Sequence, residues 1–128
     1  MDIGQLRAGN IIVVYPRENQ EGILSVKEMH RESVICDMLC PRAGYQFRIR
    51  FNEINPVKLS NEWLVKASFR RDPEDRNKWL GPDNQLHFHF SGKAGVFVDA
   101  KNQEVTYLHQ LQNTYLDITG KELHITLN

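Results

Sequence analysis

The chain has 128 residues, 41% hydrophobic and 25% charged, which excludes wholesale disorder and is enough apolar material for one compact domain or two small lobes. Sixteen basic residues balance sixteen acidic ones, so no overall field draws in nucleic acid or an anionic membrane, and any such binding needs a local patch. The N-terminus lacks the basic start and apolar run of a signal peptide, and no apolar stretch is long enough to cross a bilayer, so a cytoplasmic location without membrane contact is expected.

Residues 1–55 read as a run of short strands. Arg7-Ala8-Gly9-Asn10 is a turn, and Ile11 to Tyr15 is a β-branched, apolar strand stopped by Pro16. A polar loop from Arg17 to Gly22 leads to a second strand, Ile23 to Met29. His30-Arg31-Glu32-Ser33 turns the chain into a third, Val34 to Leu39. Pro41-Arg42-Ala43-Gly44 is a loop with two breakers. From Gln46 to Phe51 the pattern alternates, with Phe47, Ile49 and Phe51 inward and Arg48 and Arg50 outward. Strands of this number and spacing suggest a small antiparallel barrel or curled sheet, and an SH3-like barrel is the preferred version. The two cysteines, Cys36 and Cys40, would lie about 13 Å apart on an extended strand, too far for a disulfide, so both are expected to be reduced.

Residues 56–128 read as an α+β unit, an antiparallel sheet with a packed C-terminal helix, expected to form one compact structure with the first half. A short helix is predicted near 60–67, with Ser60 as N-cap, Leu59 and Leu64 as a hydrophobic staple, and Trp63, Leu64 and Ala67 facing the core. Arg70 to Lys78 is charged, contains Pro73 and has no periodicity, so it reads as an exposed loop with Trp79 anchoring its far end. Leu86 to Phe90 alternates as a half-buried strand, followed by a hairpin turn at 91–95 and a returning strand, Val96 to Val98. The closing helix is predicted near 106–119, with Gly120 as its left-handed terminator. Val105, Leu108, Leu111, Tyr115, Leu116 and Ile118 form its apolar arc, and Gln112 falls anomalously inside that arc. Leu123, Ile125 and Leu127 alternate with polar residues as a last strand or extended tail.

Three segments resemble a group of uncharacterised small proteins common in gut Bacteroidota and their prophages or mobile elements. They are Leu6-Arg7-Ala8-Gly9-Asn10, Ile54-Asn55-Pro56 through Trp63-Leu64, and Val105-Thr106-Tyr107-Leu108-His109-Gln110-Leu111-Gln112-Asn113 through Thr119-Gly120-Lys121-Glu122-Leu123. The last is the most specific. The resemblance implies an origin and little chemistry, because that group has no established activity. Lys66-Ala67-Ser68-Phe69 departs from it, standing where a Lys-Phe-Gly-Phe run is expected.

His87 and His89 share a strand face and could share a metal, with His109 or His124 as a third ligand. A solvent-facing polar edge is the preferred reading, since zinc takes three or four protein ligands and only two are placed. Cys36, Cys40 and His30 lack the spacing of a zinc finger, and core packing is preferred there too. No nucleophile sits in an elbow and no Gly-rich loop precedes a helix, so no catalytic residue, metal or cofactor is expected and the chain reads as a non-enzyme. The preferred function is an accessory or protein-interaction module of phage or mobile-element type. Its candidate residues are His109, Gln110 and Asn113 on the closing helix, against an unknown protein partner and with self-association left open, although capping and packing, with Gln112 satisfying a buried backbone group, is the preferred account of that helix. The alternative is a nucleic-acid-binding regulator that uses Arg48 and Arg50 beside Tyr45, with Arg70, Arg71, Lys78 and Trp79.

Overall fold

The structure, a computed structural model, describes residues 6–17, 20–75, 77–82, 87–91, 96–99 and 104–127. The chain divides into two compact units, Met1–Val57 and Lys58–Asn128.

The first unit is one antiparallel sheet of five strands. These are β1 (Ile11–Arg17), β2 (Gln20–Met29), β3 (Ser33–Cys40), β4 (Gln46–Arg50) and β5 (Asn55–Pro56), in the order β4-β3-β2-β1-β5. The expected SH3-like barrel, and a curled or closed sheet generally, is not what forms. β4 and β5 end the strand order on opposite sides, and among the described residues no pairing joins them, so the sheet is open. The strand count of four or five was legible, but closure depends on pairing between the first and last strands, which period-two alternation does not encode.

Alternation does set the core. Leu24 and Val26 point inward from β2, Val34 and Cys36 from β3, and Ile12 from β1, packed with Leu6 and Ile54. Strand β1 runs past Pro16 to Arg17 because the register slips between Val14 and Arg17, and a proline is tolerated at such an irregularity. Before β1 the predicted turn forms. Gly9 has φ +94°, the Asn10 N–H donates to the Arg7 carbonyl at 3.1 Å, and the buried Asn10 Oδ1 accepts from the Arg7 N–H at 2.8 Å. Phe47 departs from expectation. It opposes Cys36 on the core side, yet β4 is an edge strand and leaves it 41% exposed.

The second unit carries another antiparallel sheet, β10-β9-β8-β7-β6, built from β6 (Arg70–Arg71), β7 (Lys78–Leu80), β8 (His87–Ser91), β9 (Val96–Asp99) and β10 (Glu104–Val105). Helix α1 (Asn61–Lys66) precedes it and α2 (Leu108–Thr119) follows. The charged stretch from Arg70 to Lys78 is not the plain loop predicted. Arg70 pairs with Leu80 and Arg71 with Trp79, closing a hairpin whose tip is fixed by its own acids. The Asp72 carboxylate accepts from the Glu74 N–H at 2.9 Å and the Asp75 carboxylate from the Asn77 N–H at 3.0 Å. Strands this short carry no periodicity to read. Of the two alternatives for residues 123–127, the strand does not form. The segment is an unladdered tail, held where the Thr126 N–H donates to the Lys66 carbonyl at 2.8 Å, with Leu123 buried.

Helix α1 starts as predicted, with the Ser60 hydroxyl accepting from the Trp63 N–H at 3.3 Å and Leu59 and Leu64 both buried. Trp63 itself is only half-buried, with the Lys66 ammonium 4.8 Å from its ring centre. The helix ends in a paired stop. The Phe69 N–H reaches the Leu64 carbonyl at 2.9 Å, and the Ser68 N–H reaches that of Val65 at 3.0 Å. This is the Schellman arrangement, which requires a left-handed residue at the position of Ser68. Ser68 has φ +67°, the one described non-glycine residue there. A β-carbon in that region costs roughly 1–2 kcal/mol. Ser68→Gly should therefore raise stability by about 1 kcal/mol, read as a higher urea midpoint at unchanged slope, whereas Ser68→Ala should give no such gain.

Candidate nucleic-acid interface

The sequence nominated six residues for nucleic acid, and the structure divides them between the units. In the first unit, Arg48 and Arg50 both lie on β4. The register sets Arg48 opposite Ile35 and Arg50 opposite Ser33. The Arg48 guanidinium donates to the Ser33 hydroxyl at 2.8 Å, which draws it across the sheet toward the β2–β3 turn. That turn brings a third cation, Arg31. Together Arg31, Arg48 and Arg50 border an open concavity of about 570 Å³, shared with Glu32, Ser33, Phe51 and Asn52. Three arginines and one glutamate, Glu32, border it. Nearby Glu53 is turned toward the backbone, its carboxylate accepting from the Arg50 N–H at 3.2 Å. Arg31 had no signal in the sequence, because only the pairing of β3 with β4 brings it beside Arg50.

Tyr45 was expected beside these arginines. Its ring instead approaches Phe47, with centroids 6.5 Å apart, and Phe47 opposes Cys36 while Arg48 opposes Ile35. Tyr45 thus keeps company with the side of β4 that the arginines leave.

In the second unit, the four remaining candidates are committed to the β6–β7 hairpin. Trp79 is 4% exposed, so its ring offers no open face to a base, and the Arg71 guanidinium lies 5.2 Å from its ring centre. The Lys78 ammonium is 3.9 Å from Asp72. Arg70 is not without a partner either.

The interaction candidates on α2 are similarly engaged. His109 is 2% exposed rather than on a solvent face, and its ring stacks on Tyr107 at 5.8 Å and 12°. The buried set, Leu108, His109, Leu111, Gln112 and Tyr115, is rotated toward His109 relative to the expected arc, which leaves Ile118 49% exposed. Gln112 is buried as the arc required and is not left without a partner. Gln110 is a capping residue. Its side-chain oxygen accepts from the Thr106 N–H at 2.9 Å and the Tyr107 N–H at 3.0 Å, and Tyr107 is the N-cap of the helix. Asn113 is half-buried and is likewise partnered.

Of the weak metal pair, the His87 side chain lies outside the described residues. His89 is exposed, with Nε2 3.9 Å from an Asp75 carboxylate oxygen. Among the described residues no three histidine, cysteine or acidic side chains gather as metal ligands. Cys36 and Cys40 are both free thiols, and Cys36 is fully buried. Burial, with a smaller contribution from the Asp37 charge, pushes the Cys36 thiol up from its ordinary 9.0 to about 11. No helix of the described residues is long and apolar enough to cross a membrane.

None of the known family models, curated proteins or solved structures is significantly similar to this chain. The expected kinship with a Bacteroidota or mobile-element group therefore gains no support, and the geometry alone carries the functional reading.

Two outcomes test these assignments. Gln110→Ala should destabilise by about 1–2 kcal/mol through two orphaned amides, while Gln110→Glu should hold, as read by urea denaturation. For Cys36, the folded state keeps the proton that the unfolded thiol releases. Stability from this group is therefore complete below pH 9.0 and falls as pH rises toward about 11. Unfolding curves across that window should decline more steeply for the native chain than for Cys36→Ala.

Proposed function

We propose that the protein binds nucleic acid through the phosphate backbone, using Arg31, Arg48 and Arg50 of the first unit. The observation that carries this reading is the convergence of three arginines on one open concavity in a chain of zero net charge. A guanidinium offers a planar fork of donors that fits phosphate oxygens, and three of them around one hollow form a local field that the whole molecule lacks. Ser33 and Asn52 on the same rim add neutral donors of the type that hold phosphate and sugar in register. A protein-interaction role through His109, Gln110 and Asn113 is the weaker reading. One of these residues is buried and another caps its own helix.

Binding of this kind is sensitive to salt. Each arginine that meets a phosphate releases counterions, so removing it lowers the slope of log affinity against log salt by about 0.7–0.9. Fluorescence anisotropy with labelled single-stranded and duplex oligonucleotides, from low salt upward, tests this. The native chain should bind with a steep salt dependence. Arg31→Ala, Arg48→Ala and Arg50→Ala together should cost at least about tenfold and flatten the slope. Arg70→Ala with Arg71→Ala should leave binding unchanged. Equal binding by the triple variant at every salt concentration retires the reading.

A further inference from the structure

A second concavity adjoins the arginine hollow. It measures about 330 Å³ and is bordered by Val14, Tyr15, Ile49, Asn52, Glu53 and Asn55. Asn52 borders both hollows, so the two meet at the single turn Phe51–Glu53 that joins β4 to β5. Their chemistry differs. Three arginines border the first. Among the described residues, none that borders the second is a cation. It has a carboxylate, two amides and an exposed phenol ring, with Tyr15 at 58% exposure. The Asn55 amide is braced on the Glu53 carbonyl at 3.4 Å, and the Glu53 carboxylate is braced on the Arg50 N–H.

From this juxtaposition we infer that Tyr15 and Asn52 form a base-binding half-site next to the phosphate-binding arginines, which makes the preferred ligand single-stranded. The inference rests on the phosphate reading above and deepens it. A phosphate is repelled by Glu53 and drawn to the arginines, so the anionic backbone of a strand is sorted to the first hollow. A neutral base has no such bias. It gains from stacking on an open aromatic ring, and its amino and imino groups find acceptors in Glu53 and Asn52. One nucleotide carries both parts on a single sugar, and Asn52 stands where the two hollows meet. A duplex cannot use the second hollow, because its bases are already paired and stacked.

The experiment compares a labelled oligothymidylate with a duplex of equal length, at low salt, on the native full-length chain. Tyr15→Ala should weaken the single strand about tenfold, in keeping with the loss of one stacked base, and leave the duplex unchanged. Tyr15→Phe should retain native affinity for both. Because Tyr15 is largely exposed, both variants should keep the native circular-dichroism spectrum and melting midpoint. Equal affinity of Tyr15→Ala and the native chain for the single strand, with the arginine variant still impaired, overturns the base site and leaves the phosphate reading standing. Equal weakening of single strand and duplex by Tyr15→Ala also overturns it, since a stacking residue discriminates between them. Binding of neither probe by the native chain overturns both.

Discussion

The constraint on which this structure most depends is the hydrogen-bonding demand of backbone in short elements. Helix α1 has six residues, and strands β5, β6 and β10 have two each. Short elements satisfy few of their own amides and carbonyls, and each buried group left open costs about 1–3 kcal/mol. Side chains meet much of this demand. Asn10 closes the turn before β1, Ser60 starts α1, Asp72 and Asp75 fix the β6–β7 tip, and Gln110 holds the entry to α2. At the exit of α2 the Thr119 hydroxyl donates to the Tyr115 carbonyl at 2.8 Å and accepts from the Lys121 N–H at 3.1 Å. Polar residues that look functional by type are thereby accounted for by the fold.

That demand explains what was legible and what was not. Patterns local in sequence read well. Leu24 and Val26 alternate into the core, Ser60 caps α1, and Gly120 adopts φ +71° at the end of α2. Features decided by partners distant in sequence did not. Whether the first sheet closes depends on β4 meeting β5, and neither strand advertises its neighbour. Hairpin β6–β7 forms from two residues meeting three, below the length at which period or propensity can register. His109 was placed outside because imidazole is polar, yet its position one residue after Leu108 puts it at the margin of the buried arc, where a stacked Tyr107 ring fills the space beside it. The candidate site was half visible. Arg48 and Arg50 follow from alternation, while Arg31 enters only through the cross-strand register.

Ser68 shows how local and distant constraints can conflict. The stop of α1 needs a left-handed residue so that Phe69 can turn back to Leu64, and both of those side chains are buried. Burial of Phe69, whose ring lies 5.7 Å from that of Phe88, fixes where the chain must go after the helix. A serine is therefore held in a conformation that suits glycine. Burying a phenylalanine against a sheet is worth roughly 1.5–3 kcal/mol, a range centred above the roughly 1–2 kcal/mol of the strained backbone. Packing wins, and the strain is the measurable residue of that contest.

The arginines of β4 raise the same question of a structural versus a functional role, and the ladder answers part of it. The Met38 N–H meets the Tyr45 carbonyl, and the Phe51 N–H meets that of Glu32. The odd-numbered residues of β4 thus direct their backbone to β3, and Gln46, Arg48 and Arg50 direct theirs to the open edge. Charged side chains on an edge discourage another strand from adding there, and Glu53 already occupies the Arg50 N–H. Edge protection alone accounts for a charge at positions 48 and 50. It does not require one sign, nor does it require Arg31, which lies in a turn and has no edge to guard. Protection is served equally by glutamate or lysine, alone or mixed. A hollow bordered by three residues of the one type that forks onto phosphate asks for more than protection. Arg31 is thus the residue that separates the two accounts, because it contributes to the field without contributing to the edge.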